Sequence, residues 1–296
     1  MTTYDFISGN KRKTALLMAV FAAFVLAIGW FLDRVYDTGG AAVIIAGGYS
    51  VVSGLVSYYA GDRMALAMSG ARPVNVEDAP RLVHTIENLC IASGTPLPKI
   101  HIIPDPAINA FATGRDPEHA SIAVTTGALE KLDNGELEGV LAHELSHIRN
   151  YDIRLMTVVI VLVGTVAMLS QIFFRFGRWG GRSRDRRGGD GGLLLLIGAV
   201  LLIFAPLIAQ LIKLAVSRRR EYLADASGAL LTRFPDGLAS ALRKIQVENQ
   251  PLQNRSAATA HLYIANPYSG SAFADLFSTH PPIEKRITAL EKMGRA

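Results

Sequence analysis

The sequence predicts a mainly helical α+β protein carried on several membrane-spanning helices, and three observations predict it. Half of its 296 residues are hydrophobic and only 19% are charged; soluble globular proteins carry about 25%. Four runs without a charged residue reach the roughly 20 residues needed to cross a bilayer. Between and after them lie segments of mixed character, with short strand-like and longer helix-like patterns between turn signals. High hydrophobicity with a modest net charge of +5 also excludes a disordered chain, because such a chain can build a core.

The runs divide the chain. The first lies between Lys13 and Asp33 and the second between Asp37 and Asp62, so residues 1–61 are read as a membrane hairpin with spans at about 14–32 and 41–60. No small-residue cleavage site follows the first run before Asp33, so it is read as a retained span rather than a signal peptide. Residues 62–154 form the first half of a globular domain. Residues 155–212 are a second hairpin, with spans at about 155–174 and 193–212 and a basic loop at 175–192, and residues 213–296 are the second half of the domain.

Lys11, Arg12 and Lys13 precede the first span, and the positive-inside rule places that end in the cytoplasm. Two crossings return the chain there, so the globular domain is expected to be cytosolic. The loop RFGRWGGRSRDRRGGDGG conflicts with the rule if the third and fourth runs each cross; a hairpin that enters without crossing resolves the conflict equally well. Either way Arg154 and Lys213 fall on one side. The loop reads as a connector lying against anionic headgroups, and the basic balance is assigned to the bilayer; no nucleic-acid partner is expected. A single cysteine, Cys90, excludes an intramolecular disulfide and suits a reducing compartment.

The chemistry begins at residues 132–152, LDNGELEGVLAHELSHIRNYD. Asp133 followed by Glu136 three residues later is a helix-start signal, and Leu137, Val140, Leu141 and Leu145 recur at helical spacing. His143 and His147, four apart, then share one helical face about a turn apart, where two imidazoles can hold one Zn²⁺, with Glu144 beside them as general base. A random order of this composition gives that pattern about 0.006 times. A catalytic zinc needs a third protein ligand and an open position. Glu221 in SRRREYLADASGALL is the candidate, and Asp225 four residues on is the carboxylate that accepts the free N–H of a ligand histidine. A solvated charged helix paired with Arg218–Arg220 explains the same segment. Residues 99–103, 108–113 and 121–125 read as short strands, enough for a small sheet beside the site helix. A free edge there would bind an extended peptide by strand addition, with Asn109, Ala110 and Phe111 against the substrate; an interior strand is the competing reading.

HELSH with Asp152, REYLAD with Glu221 and Asp225, NAFATG at 109–114, VTTG at 124–127 and Thr279-His280-Pro281 together resemble the HtpX-type membrane zinc metallopeptidases, over nearly the whole chain. The resemblance implies a gluzincin-type peptidase domain with one zinc per chain, in a multi-pass protein of the bacterial inner membrane. It implies misfolded or damaged membrane proteins as the polypeptide substrates, degraded under stress at the cytoplasmic face. It makes His280 a candidate catalytic donor to the oxyanion, against an ordinary loop histidine beside a Pro-Pro turn. Two alternatives stay open: a prenyl-protein processing peptidase, which has more membrane helices than four, and an inactive membrane scaffold, for which an intact Glu144 has no use.

Overall fold

A computed structural model describes residues 3–162, 164, 218–248, 250–254, 256, 258–268 and 281–294. The basic loop, the fourth apolar run, most of the third and His280 lie outside the described residues.

The first two apolar runs form the helices α1 (Thr3–Tyr36) and α2 (Ala41–Met68). Each is long and apolar enough to cross a membrane, with mean hydropathy 2.6 and 1.6 over the most apolar 18 residues of Ile7–Arg34 and Ala41–Met68. Gly39 and Gly40 take φ of 63° and 93° between them, and Asp33 Oδ1 accepts the Gly40 N–H at 2.7 Å, which closes a tight hairpin. Gly29 of α1 lets the two helices meet, since a Cβ there would stand 2.4 Å from that of Ala46 in α2. Beyond the expected boundary at 61, α2 continues into the domain. Already before that boundary Gly61 lies against Thr157, and Ser57 Oγ donates to Val158 O at 3.3 Å. Leu17, Phe21 and Val25 of α1 pack with Leu155, Val158, Val159 and Leu162, which begin the third run.

The sheet has the order β1-β2-β4-β3, with β1 (Arg72–Pro73), β2 (Lys99–Ile103), β3 (Ala110–Gly114) and β4 (Ala120–Thr125). β2 and β4 are parallel, in register Ile100↔Ile122, while β3 runs antiparallel to β4 with Phe111↔Ala123. Three strands occur where alternation and turn residues predict them. β1 is too short to carry a pattern. Every residue of β4 is buried, since α3 (Pro80–Ser93) and α5 (Asn134–Arg149) share one core with its side chains; α4 (Thr126–Lys131) follows β4 directly.

Asp133 and Glu136 close a reciprocal capping box at the start of α5. Glu136 is more than a cap. Ser240 Oγ donates to it at 2.7 Å and Lys244 Nζ at 2.5 Å, which ties α5 to α8 (Pro235–Glu248). Burial raises the Glu136 pKa, but the bonds from Lys244, Ser240 and the Asp133 backbone outweigh it and hold the pKa below its usual 4.5. The ionised form is thus favoured by folding, a contribution present above 4.5 and lost as pH falls through the lowered value. Glu136→Gln is expected to cost about 1–2 kcal/mol at neutral pH. Denaturant unfolding of both proteins should show the gap closing in acid, and a gap independent of pH would refute the ionic role.

A further helix, α6, covers residues 152–162, and α7 (Arg218–Thr232) and α9 (Ile283–Gly294) complete the described elements. Gly139 lets α5 and α8 cross at close range, since a Cβ there would lie 2.6 Å from Leu238 N. Gly228 does the same for α7, its position for a Cβ being 3.0 Å from His143 N. That second approach brings Glu221 to the histidines.

Candidate metal centre

His143 and His147 project from α5 and Glu221 from α7, and all three are buried, at 0%, 3% and 1% exposure. One donor atom from each can be chosen so that all lie within 4.8 Å of one another. The two Nε2 atoms are 3.2 Å apart with the rings nearly perpendicular, at 87°. Glu221 places Oε2 3.8 Å from His143 Nε2 and Oε1 3.7 Å from His147 Nε2. The i, i+4 spacing on one side and the Gly228 contact on the other produce this convergence.

The far sides of the rings are fixed by carboxylates. Asp225 Oδ1 lies 2.9 Å from His143 Nδ1, and Asp152 Oδ2 lies 3.0 Å from His147 Nδ1. A carboxylate at Nδ1 selects the Nδ1–H tautomer, so each Nε2 turns a lone pair toward the other. Two such acceptors at 3.2 Å repel unless a cation lies between them. Bond lengths of 2.0–2.1 Å in tetrahedral coordination space two zinc-bound nitrogens by about 3.3 Å. The donor set therefore fits a divalent metal. A proton meets the same need in the metal-free chain: the bonds and charges of Asp152 and Glu221 outweigh burial and push His147 up to about 9, while burial brings His143 down to about 4.

Asp225 is itself held. Arg286 of α9 is 0% exposed and donates through Nε at 2.9 Å and Nη2 at 2.7 Å to its two oxygens, with Nη1 bonded to Ile264 O at 3.0 Å. The Arg286 charge overcomes burial and keeps the Asp225 carboxyl well below the usual carboxylate range. Sequence reasoning missed Arg286 because 61 residues separate it from Asp225 and no spacing rule joins them. It quoted Asp152 in the resemblance without giving it a role, since five residues from His147 is not a shared helical face.

Glu144, between the histidines in sequence, is 0% exposed, and among the described residues neither carboxylate oxygen has a hydrogen-bond partner. Burial pushes its pKa up to about 7. A buried carboxyl whose pKa is raised into the neutral range is suited to exchanging a proton.

The stretch expected to meet substrate is at the sheet edge, as β3, but its side chains are committed inward. Asn109, Ala110 and Phe111 are 4%, 0% and 0% exposed. The Asn109 amide donates to Ala265 O at 3.1 Å, Phe111 stands edge-on to Tyr263 with ring centroids 5.0 Å apart, and Ala110 O accepts from Ile264 N at 3.0 Å. The segment around 263–265 lies along β3, a neighbour that no local pattern reveals.

Comparison with known proteins agrees with this geometry. Residues 76–294 match Peptidase family M48. A protein named Protease HtpX homolog from Tropheryma whipplei (strain Twist) is 47% identical over 295 residues, covering 98% of each chain. Proteins of the same name from Caldanaerobacter subterraneus subsp. tengcongensis and Ligilactobacillus salivarius are 43% and 45% identical, over 99% and 98% of this chain and 98% and 99% of theirs. Among solved structures, that of S. mikatae Ste24p shares the fold, with a TM-score of 0.51 at 19% identity over 97% of this chain and 67% of that one. With a family match over most of its length and relatives of this identity, the chain belongs to peptidase family M48 and is a membrane metallopeptidase.

Proposed function

We propose that this chain is a zinc endopeptidase of gluzincin type, with His143, His147 and Glu221 as the ligands of one Zn²⁺ and Glu144 as general base. The observation that carries the reading is three converging donors on and against the helix that carries Glu144, whose buried carboxylate has no side-chain hydrogen-bond partner among the described residues. Bound there, zinc supplies a Lewis acid that acidifies a water and polarises a peptide carbonyl. Glu144 takes the water's proton on its carboxylate and delivers it to the departing amine. Asp225 and Asp152 fix the two imidazoles through their Nδ1–H groups. His280 is assigned as a donor to the developing oxyanion. The main-chain groups of Asn109 and Ala110 are already taken by Thr125, the Asn109 side chain and Ile264, so the extended peptide is assigned to the β3 edge beyond Ala110, which implies broad specificity.

The protein is read as multi-pass, with the domain boundaries given above and its site on the cytoplasmic face of a bacterial inner membrane. Its substrates are misfolded or damaged membrane proteins, degraded under stress. The two apolar helices and the charges of Lys11–Lys13 support the topology, and the name Protease HtpX homolog borne by the relatives supports the activity.

The test is casein degradation by detergent-purified protein, with zinc content measured alongside. Activity is expected to disappear with a zinc chelator and return on adding zinc. Proteolysis that survives complete removal of metal would overturn the reading.

A further inference from the structure

The turn that leaves the site helix is held in an unfavourable conformation. Tyr151 follows Asn150 in the turn between α5 and α6 and has φ of 59°, a left-handed value that a bulky aromatic residue adopts only when its surroundings impose it. The surroundings here come from the first membrane helix and from Arg220 of α7, whose Nε lies 3.4 Å from Asp152 Oδ1. Asn10 of α1 is 5% exposed and donates from Nδ2 to Asn150 O at 3.0 Å and to Asp152 Oδ1 at 2.6 Å, the residues on either side of Tyr151. Its neighbour Lys11 places Nζ 4.4 Å from the centre of the Tyr151 ring, which Arg154 also faces at 5.0 Å. The other oxygen of Asp152 faces His147 Nδ1 at 3.0 Å. A continuous line of contacts therefore runs from α1 through Asp152 to a site histidine, its first link joining Asn10 and Asp152, 142 positions apart in sequence.

We propose that Asn10 is a positioning residue of the metal centre: α1 clamps the Asn150–Asp152 turn and so aims Asp152 at His147. The inference rests on the reading of His147 as a metal ligand. Asn10 stands just ahead of the first apolar run, at the end of α1 that meets the domain. The helix is thus part of the site as well as an anchor, and seating it and completing the metal centre become one event.

The experiment uses the full chain in detergent and measures zinc affinity by competition with a chromophoric chelator. Asn10→Leu removes the donor at similar volume and is expected to weaken zinc binding on the order of tenfold, with a changed visible spectrum of the cobalt-substituted protein. In an Asp152→Asn background the same substitution should add less than about twofold, because the line is already cut. A merely structural role for Asn10 would add its full loss in both backgrounds, and that result overturns the proposal. So does an Asn10→Leu chain that binds zinc within about twofold of the parent. Should Asn10→Leu not fold, Asn10→Ala removes the donor without adding bulk or charge, and the same loss is expected. A parent chain that binds no zinc would overturn the metal reading itself, which separates the two failures.

Discussion

Glu144→Gln is expected to slow peptide hydrolysis by about 10²–10⁴-fold while leaving bound zinc at the parental level. The substitution keeps volume and polarity but removes the carboxylate that accepts a proton. Glu144 is suited to that task because burial brings its pKa to about 7 and no side chain among those described competes for its oxygens. It lies beside His143 in sequence yet is not among the three converging donors, so metal content and rate should separate. Casein hydrolysis measured together with zinc stoichiometry decides the matter. Full activity in the glutamine variant would mean that the helix carries a structural metal, and loss of zinc along with activity would mean that Glu144 supports the site rather than the proton transfer.

Arg286→Leu is the substitution with the largest expected effect on the folded state. Asp225 is 2% exposed and Arg286 0%, so removing the guanidinium leaves a buried carboxylate without its main counter-charge. Breaking a buried pair in this way costs about 3–5 kcal/mol, and the loosened Asp225 no longer fixes His143, for which a 10- to 100-fold loss of zinc affinity is the usual scale. The partner substitution gives the control. Adding Asp225→Asn to Arg286→Leu should recover part of the lost stability, because the orphaned charge is gone, while zinc affinity stays low. Denaturant unfolding and chelator competition read the two quantities separately. An Arg286→Leu protein within about 1 kcal/mol of the parent would show that Asp225 does not depend on the ion pair.

Both predictions turn on residues of different legibility. Glu144 was visible at once, because His-Glu-x-x-His on a helix places its groups by a local rule. Asp225 was also legible, four residues from Glu221 on the same helix, and the geometry pairs it with His143. Arg286 was invisible, since an arginine in a short terminal helix looks like any solvated cation until its burial is known. The strand expected at 108–113 occurs as Ala110–Gly114, and the order β1-β2-β4-β3 puts it at the edge. The inward commitment of Asn109 and Phe111 was not legible, because it depends on Ala265 and Tyr263, more than 150 residues away.

What the sequence determined by itself is whatever repeats over a few residues. Charge-free runs specify apolar helices, Asp133 and Glu136 start α5, and the spacing of His143 and His147 puts two imidazoles on one face, because backbone geometry alone relates residues one helical turn apart. Only the tertiary structure decided which carboxylate faces which ring and what holds each carboxylate in place. Asp152 reaches His147 across a left-handed turn held by Asn10, and Asp225 is fixed by Arg286 from the last helix. Those partners are chosen by the packing of distant helices, where burial makes an unpaired charge costly and so requires a neighbour that no local pattern names.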